Sequence, residues 1–259
     1  MKIIVCIKQV PDTSEVKLDP KTGTLIREGV PSIINPDDKS GLEAALKLKE
    51  EIGAEITVLT MGPPQAKAAI REALAMGADN GILLSDRKFA GADTLATSTT
   101  LSKALEKMEF DLIITGRQAI DGDTAQVGPQ IAEHLDLPQV AYAIGINKTS
   151  NGLIVKRQFE DGYQMVKVET PCLITALSEM NQPRYMSVGK VVDAFNKEIK
   201  VWSMDDLELE IERAGLKGSP TKVKKSFTKG AKAAGKQFVL SPEESAICIV
   251  EKLKERFIL

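Results

Sequence analysis

The sequence predicts an α/β protein: a parallel sheet with helices on both faces, extended by an antiparallel ribbon and a C-terminal arm. Short β-branched apolar runs alternate with helical patterns as far as residue 138, which is typical of βαβ units. Two turn dipeptides then separate three strand-like runs. A lysine-rich segment and one last helical pattern follow them.

Four predicted strands are rich in valine, isoleucine and leucine. They are KIIVCIK at 2–8, AEITVLTMG at 54–62, GILLSD at 81–86 and FDLIIT at 110–115. Because their apolar character is nearly continuous, we expect these strands to be buried on both faces in a parallel sheet.

The helical patterns between these strands carry start and stop signals. Asp37 or Asp38 is the capping candidate of the first helix, and Gly53 ends it. The second helix is opened by Pro63–Pro64 and ended by Gly77.

A third helix is capped by Asp93, and a fourth helical pattern begins near Pro129. The apolar residues that we expect to face inward from the third helix are Leu95, Leu101, Leu105 and Met108.

The second half of the chain changes in style. Asn151-Gly152 and Asp161-Gly162 lie between strand-like runs and tolerate the backbone angles of tight hairpin turns, so they predict an antiparallel ribbon. Between Glu212 and Glu243 the sequence has seven lysines and no acidic residue. Two interpretations of this segment stay open, a solvated flexible arm and a segment ordered by a partner.

The last helical pattern starts with a capping box at Ser241–Glu244, and its apolar side must dock on another surface because the pattern has no core of its own. We therefore divide the chain into residues 1–200, an α/β domain that includes a loop at 176–198, and residues 201–259, an arm with a terminal helix.

Composition excludes several classes of protein. The net charge is -2, from 34 basic and 36 acidic residues, and aromatic residues make up 4%, so no basic, aromatic surface indicates nucleic acid. No apolar run approaches the twenty or so residues of a membrane span. Cys6, Cys172 and Cys248 lie far apart in apolar contexts, as buried thiols of a reducing compartment do. We expect a cytoplasmic protein without membrane insertion.

Ligands of open parallel sheets bind at the carboxyl ends of the strands. Four loops leave those ends, at KQVPD, at Asn35–Asp38, at Thr60–Pro64 and at Gly116–Gly128. The fourth loop is the richest in glycine and short polar side chains, and the helix after it offers free N–H groups to a phosphate. These loops predict a nucleotide or phosphate ligand, with an ordinary loop between strand and helix as the alternative.

Other chemistry has little support. The sequence has neither GxGxxG nor GxxxxGK[ST], so a standard dinucleotide fold or P-loop is not predicted. Asp121 and Asp123 are explained by turn chemistry better than by a metal site. The single histidine, His134, offers no nucleophile–base pair, so we assign no catalytic residue and no metal. Arg117 could pair with an anion or stabilise an electron-rich ring.

Residues 155–175, VKRQFEDGYQMVKVETPCLIT, resemble the signature of the electron transfer flavoprotein β subunit. The blocks MKIIVCIKQVPD, INPDD, REALAMGAD, TGRQAIDGDTAQVG and NQPRY resemble that family in its order. The resemblance implies an adenine-nucleotide α-hydrolase-like fold and a larger α subunit that carries FAD in a mobile domain.

The resemblance also implies a nucleotide site at the four loops. Its residues match Cys6, Asn35, Asp37, Asp38, Met61, Gly116, Arg117, Gln118, Ala119, Asp121, Gly122, Asp123, Thr124, Ala125, Gln126 and Val127.

Two cofactors are compatible with this resemblance. Members of the plain type hold AMP and have a more polar loop, whereas Ala125 and Val127 resemble the bifurcating type, with room for FAD. In that type FAD accepts hydride from NADH. One electron goes to ferredoxin or flavodoxin, and the other goes through the α-subunit FAD to an acyl-CoA dehydrogenase. A nucleotide-hydrolysing protein of related fold is a further alternative, although no hydrolysing motif occurs.

The block from Ala176 resembles the family's recognition loop for the dehydrogenase. Arg184, Tyr185, Met186 and Val188 are the candidate partner-binding residues, and Val188 replaces the leucine that is usual in the family. The alternative is a loop that packs on its own domain. The lysine-rich arm and final helix resemble a tail that wraps around the α subunit.

Overall fold

The computed structural model describes residues 1–12, 31–222 and 235–258. The chain forms two compact units, Met1–Lys224 and Lys225–Leu259. The boundary that we predicted at residue 200 divides the chain by expected function, between the α/β domain and the arm. This boundary stays a prediction. Much of the lysine-rich segment lies outside the described residues.

The described residues form eleven strands and six α-helices. The strands are β1 (Lys2–Cys6), β2 (Gln9–Pro11), β3 (Ser32–Ile34), β4 (Glu55–Met61), β5 (Asn80–Leu84), β6 (Leu112–Gly116), β7 (Gln139–Thr149), β8 (Gly152–Phe159), β9 (Gly162–Glu169), β10 (Cys172–Ala176) and β11 (Ile199–Trp202). The helices are α1 (Pro36–Ile52), α2 (Lys67–Met76), α3 (Thr94–Leu105), α4 (Val127–His134), α5 (Val188–Asn196) and α6 (Pro242–Lys254).

Nine strands form one sheet in the order β11-β5-β4-β1-β6-β10-β7-β8-β9, and β2 pairs with β3 separately. The pairs from β11 to β7 are parallel, and the β7-β8-β9 ribbon is antiparallel. The predicted fold class is therefore confirmed. After β1 the chain adds β4 and β5 on one side and then crosses to β6 on the other, so the strand order reverses between β1 and β6.

The apolar strand runs are explained by burial on two faces. Ile3 and Val5 of β1 belong to the core on one side of the sheet, and Ile4 and Cys6 belong to the core on the other side. Burying a side chain of this size contributes about 1.5–3 kcal/mol. Every residue of β6 is buried, because this strand is paired on both edges and covered on both faces.

Most predicted helix signals are confirmed. Gly53 and Gly77 follow α1 and α2 with φ of 72° and 135°, angles that glycine adopts without steric cost. The Asp93 carboxylate accepts a hydrogen bond from the N–H of Ala96 at the start of α3. In the second unit, the capping box at Ser241–Glu244 is present at the start of α6.

Two local predictions are wrong. Asp37 and Asp38 do not cap α1; the N-cap residue is Asn35, and both carboxylates accept hydrogen bonds from distant residues. Leu95 is 39% exposed because it lies in the first turn of α3, outside the inward face. The fourth helix begins at Val127, near Pro129 as predicted.

The ribbon and the cysteines follow the expectations with one exception. Each hairpin glycine, Gly152 and Gly162, is the first residue of the next strand. Cys6 and Cys172 are buried, whereas Cys248 is only half-buried, because it lies on the short helix α6. No helix in the described part of the chain combines the length and apolarity that crossing a membrane would need.

Candidate functional site

The candidate site lies at the carboxyl edge of the sheet, where β1 ends at Cys6 and β6 ends at Gly116. These strands are neighbours, and the strand order reverses between them. Such a reversal leaves a crevice in which α/β proteins bind ligands. Met61 ends β4 on the other side of β1 and packs partly against the core.

Asn35 ties the start of α1 to the loop after β6. Its amide oxygen accepts from the N–H of Ile120 at 3.1 Å. Its amide nitrogen donates to the Gln118 carbonyl at 2.8 Å and to Asp38 Oδ1 at 3.1 Å. Because Asn35 is fully buried, it shapes the loop from within, and its polar atoms are already used by protein partners.

Asp38 joins the same loop to the end of β1. Its Oδ1 accepts from the N–H of Gly116 at 3.0 Å, and its Oδ2 accepts from the N–H of Lys8 at 2.7 Å. Asn35 supplies a third donor. The carboxylate therefore holds the two strand ends of the switch point together.

We expect Asp38 to titrate near neutrality. Burial raises its pKa to about 7, although donors on Asn35, Lys8 and Gly116 act in the opposite direction. The pKa of Asp38 in the unfolded chain is 3.8. Between pH 3.8 and about 7, the folded state therefore keeps a proton that the unfolded state has lost. The contribution of Asp38 to the free energy of unfolding should thus fall as pH rises from 3.8 to about 7 and change little above it.

Carbon-detected NMR of the carboxyl groups measures this titration. Asp206 is an internal control, because N–H and O–H donors on Ser203 lower its pKa. A titration of Asp38 in the same range as Asp206 would contradict the expectation.

Gly116 and Gly122 both belong to the predicted nucleotide site, but their surroundings differ. A Cβ on Gly116 would lie 2.1 Å from Asp38 Oδ1 and 2.8 Å from Asp37 Cβ, whereas one on Gly122 would meet nothing within 4 Å. The close approach at Gly116 is made by the first turn of α1. Gly122 lies in an open turn.

The rest of this loop is a turn with internal polar contacts. The N–H groups of Gly122 and Asp123 both donate to the Ala119 carbonyl, and Gln118 donates to Asp123. Lys8 Nζ lies 2.6 Å from Asp121 Oδ1.

The other loop residues are placed as follows. Thr124 is exposed, Gln126 accepts from Thr94 at 2.8 Å, and Val127 packs partly against the core. Asp123 and Ala125 have φ of 53° and 54°. In the described ranges, no three His, Cys, Asp or Glu residues form a cluster that could hold a metal.

The predicted residues fit an adenine-type cofactor in their donor chemistry. The loop has short side chains and leads directly into α4, and the first N–H groups of a helix are the donors that suit a phosphate. The Cys6 thiol is not a reactive group, because burial raises its pKa to about 12, with a smaller effect from Asp38. Cys6 is thus part of the wall beneath the site.

On the β10 side, Arg117 lies between a carboxylate and an aromatic ring. Its Nε is 3.5 Å from Asp37 Oδ2, and its guanidinium carbon is 6.0 Å from the ring centre of Tyr142. The other Asp37 oxygen accepts from the N–H of Ser178 at 2.9 Å. Burial raises the pKa of Asp37 despite the positive charge of Arg117. Tyr142 was not predicted as a site residue, since no local sequence pattern places it near Arg117.

The segment 178–184 is bound along one face of α1. Side-chain oxygens on successive turns of α1 accept hydrogen bonds from the backbone N–H groups of every third residue of the segment. The pairs are Ser178 with Asp37 at 2.9 Å, Asn181 with Ser40 at 3.0 Å, and Arg184 with Glu43 at 3.1 Å. This regular pattern fixes the approach to α5.

Arg184 completes this attachment. Its guanidinium donates to Glu43 at 2.9 Å and forms a second ion pair with Glu50. These hydrogen bonds raise the pKa of Arg184. The Glu43 carboxylate is buried, so its charge is compensated mainly by this arginine.

An apolar surface follows the attached segment. Tyr185 is 99% exposed, and Met186 is also exposed. Val188, Val192 and Phe195, which we call the α5 stripe, are 82%, 58% and 69% exposed. Their spacing of four and three residues places them on one face of α5, and Ala194 on the other face is buried. Val188 was predicted from the sequence, whereas Val192 and Phe195 were not, although their helical spacing indicates the same face.

Two surface cavities lie outside the switch point. One, of about 430 Å³, is lined by Arg184 and by residues of α1, α2 and α5, including Lys49 and Asp193. The other, of about 600 Å³, lies at the amino edge of the sheet near Lys2 and Trp202. The candidate site at the switch point is an open edge of loops.

Comparison with known proteins gives full-length similarities. Residues 22–207 match the model of the electron transfer flavoprotein domain. The chain is 58% identical over 255 residues to electron transfer flavoprotein subunit beta of Clostridium acetobutylicum, with 98% of each chain covered. It is 55% identical to the caffeyl-CoA reductase-Etf complex subunit CarD of Acetobacterium woodii, and 48% identical to the acryloyl-CoA reductase electron transfer subunit gamma of Anaerotignum propionicum. Both of these chains are covered completely.

Proposed function

Since the chain belongs to the electron transfer flavoprotein β-subunit family, we propose that it holds FAD at the switch point and forms the NADH-oxidising part of an electron-bifurcating complex. When bound, FAD supplies a ring that takes hydride from NADH, with one electron passing to ferredoxin or flavodoxin and the other to an acyl-CoA dehydrogenase through the FAD of an α subunit. The alternative is a subunit that holds structural AMP and scaffolds the α subunit.

The observation that carries the FAD assignment is the loop Asp121–Val127. Ala125, in the loop that leaves β6 at the switch point, has only a methyl side chain, and it is half-buried with its backbone in the left-handed region. A longer side chain here would take up more space in this loop. Relatives that match over the full length carry names of CoA reductase complexes, which supports an acyl-CoA dehydrogenase as the partner.

The protein's own residues have three tasks in this proposal. Asn35 and Asp38 hold the strand-end loops in place, the N–H groups at the start of α4 bind phosphate, and Arg117 supplies positive charge. The cofactor carries the redox chemistry, so no side chain of this chain is assigned as a nucleophile or base.

The cofactor content of the purified αβ complex tests the proposal. Release of two FAD molecules per heterodimer, one of them reduced directly by NADH, supports it. Release of one FAD and one AMP would replace it with the AMP alternative. The assay uses denatured complex and chromatographic quantification, so it does not depend on the identity of the electron acceptor.

A substitution in the loop tests the volume argument. Asparagine tolerates the φ of 54° found at Ala125, so Ala125→Asn adds volume without backbone strain. Overpacking typically costs about 1–3 kcal/mol, so we expect the ratio of bound FAD to AMP to fall roughly tenfold. The ratio is measured on nucleotides released from the purified complex.

Val127→Thr is added to this substitution in a double variant, because Val127 belongs to the same predicted site and packs partly against the core. Its hydroxyl group adds a polar atom there. The double variant should therefore lower the FAD:AMP ratio at least as far as Ala125→Asn alone. An unchanged FAD:AMP ratio in the double variant would refute the volume argument.

We also propose that Tyr185, Met186 and the α5 stripe dock the dehydrogenase. Exposed apolar side chains grouped on a rigid element suit a transient protein interface. Arg184 supports this surface from beneath, because its guanidinium is already paired with Glu43 and Glu50. Its proposed part in partner binding is thus to hold the preceding segment on α1.

The second unit carries a separate proposal. Ile247, Ile249 and Val250 of α6 are exposed apolar residues, and a helix of this kind gains stability when its apolar face is buried. We propose that α6 and the arm before it bind the α subunit. The lysines between residues 223 and 234 belong to this proposal but lie outside the described residues.

A further inference from the structure

Tyr142 has an unusual backbone. Its φ of 61° lies in the left-handed region, where a bulky aromatic residue is rare and strained. The surrounding strands hold it there. The pairing of β7 with β10 shifts register between Ile174 and Ala176, and the N–H of Tyr142 donates to the buried Thr175 Oγ1 at 3.0 Å. A bulge of this kind redirects a side chain.

The redirected ring lies at the level of the candidate site. Ala176 of β10 pairs with Gly116 of β6 on one side and with Ala143 of β7 on the other. Tyr142 therefore lies at the carboxyl edge that also carries Gly116. Its side chain is 40% exposed, and its ring faces the Arg117 guanidinium.

Arg117 has unused capacity that Arg184 lacks. Arg184 donates to two carboxylates. The side chain of Arg117 makes no hydrogen bond to any described residue. Its buried Nε faces Asp37 Oδ2 at 3.5 Å as an ion pair, and one third of the side chain is exposed. A guanidinium at this edge can still interact with a ligand through its terminal nitrogens.

The two sides of the edge thus differ in chemistry. On the β1 side, Asn35 and Asp38 use their polar atoms on one another and on the loops. On the β10 side, Arg117 and Tyr142 offer a cation and an aromatic face next to each other. A phosphate needs no aromatic face, whereas a planar, electron-rich ring uses both groups.

Resting on the proposed function, we infer that Arg117 and Tyr142 form the ring-binding end of the cofactor site. The ring in question is isoalloxazine. It gains negative charge on reduction, which a cation stabilises, whereas adenine stays neutral. When FAD is bound, Tyr142 would offer an aromatic face and Arg117 a positive charge to that ring. This pair would therefore favour FAD over AMP, and the strained bulge of β7 places the tyrosine at this edge.

The test compares three tyrosine variants of the full chain purified with its α subunit. Tyr142→Asn removes the ring but tolerates the backbone angle, and Tyr142→Phe keeps the ring. Tyr163→Asn is the matched control, because Tyr163 is also exposed and has Lys156 Nζ 4.0 Å from its ring centre, on the ribbon. Each complex is equilibrated with equal concentrations of FAD and AMP, and the bound nucleotides are quantified.

We expect Tyr142→Asn to lower the FAD:AMP ratio of the site roughly tenfold, given the usual energy of aromatic stacking. Tyr142→Phe and Tyr163→Asn should keep the wild-type ratio. An unchanged ratio in Tyr142→Asn overturns the inference, as does an equal loss of both nucleotides, which would mark an adenine contact. Loss of pairing with the α subunit also overturns it, because it would assign Tyr142 to that interface.

A second measurement does not depend on the tyrosine variants. Arg117→Met should lower the fraction of the site's flavin that a fixed NADH concentration reduces, whereas Arg117→Lys should restore much of it. An unchanged fraction in Arg117→Met contradicts the role of the cation. Wild-type complex with one FAD and one AMP would refute the proposed function and this inference together. If the wild-type complex holds two FAD molecules and Tyr142→Asn leaves the FAD:AMP ratio unchanged, the inference is refuted and the proposed function is not.

Discussion

Gly116→Ala is expected to abolish retention of the nucleotide by this chain. The new methyl group would lie 2.1 Å from Asp38 Oδ1, 2.8 Å from Asp37 Cβ and 2.9 Å from the Asp38 backbone nitrogen. Backbone and a buried carboxylate cannot move aside as a flexible side chain can. The first turn of α1 must separate from β6, which breaks the hydrogen bond between Gly116 and Asp38. Forcing extra volume into a packed site typically costs about 1–3 kcal/mol.

The control is Gly145→Ala on β7, outside the residues predicted for the nucleotide site. A methyl group there would meet Lys156 Cβ at the ordinary contact distance of 3.6 Å, so nucleotide content and thermal stability should stay at the wild-type level. The measurement is nucleotide released per heterodimer, together with the melting temperature. Full nucleotide content in Gly116→Ala would show that the contact between α1 and β6 is not needed for the site.

Val188→Asp combined with Val192→Asp is expected to slow electron delivery to the acyl-CoA dehydrogenase by roughly a hundredfold, since two unpaired charges would be buried in the interface. Both residues are exposed in this chain, so folding and cofactor content should be unaffected. Reduction of the dehydrogenase in a coupled assay gives the rate, and released FAD gives the cofactor content.

Val201→Asp is the control for this pair, because Val201 is an exposed valine on β11, outside the α5 stripe. It should leave the coupled rate unchanged. A normal rate in the double variant would place the docking surface elsewhere, and a loss of FAD would show that α5 supports the cofactor site instead.

Helix α1 contributes to both proposed surfaces. Its first turn carries Asp37 and Asp38 at the cofactor site, and the following turns carry Ser40 and Glu43, which bind the segment leading to α5. Asp37 belongs to both, since one oxygen accepts from Ser178 and the other faces Arg117. Substitutions in α1 should therefore be assayed for nucleotide content and docking together.

The sequence by itself determined the elements of this fold and the loops of the candidate site. Gly53 and Gly77 end helices, Asp93 caps one, and the glycines of the ribbon mark hairpins. Each of these signals acts between residues within about four positions of one another, so a local pattern contains all the information. The strand-end loops followed from the same patterns, because parallel strands bring their carboxyl ends to one edge.

The tertiary structure alone decided what the polar side chains do. Asp38 was expected to be a local cap, but its partner Gly116 is 78 positions away, and Ser178, the partner of Asp37, is 141 positions away. Tyr142 reaches Arg117 through a register shift between β7 and β10. A buried polar group bonds to whichever partner the packing brings close, and that partner is set by the order of the strands, which no local pattern contains.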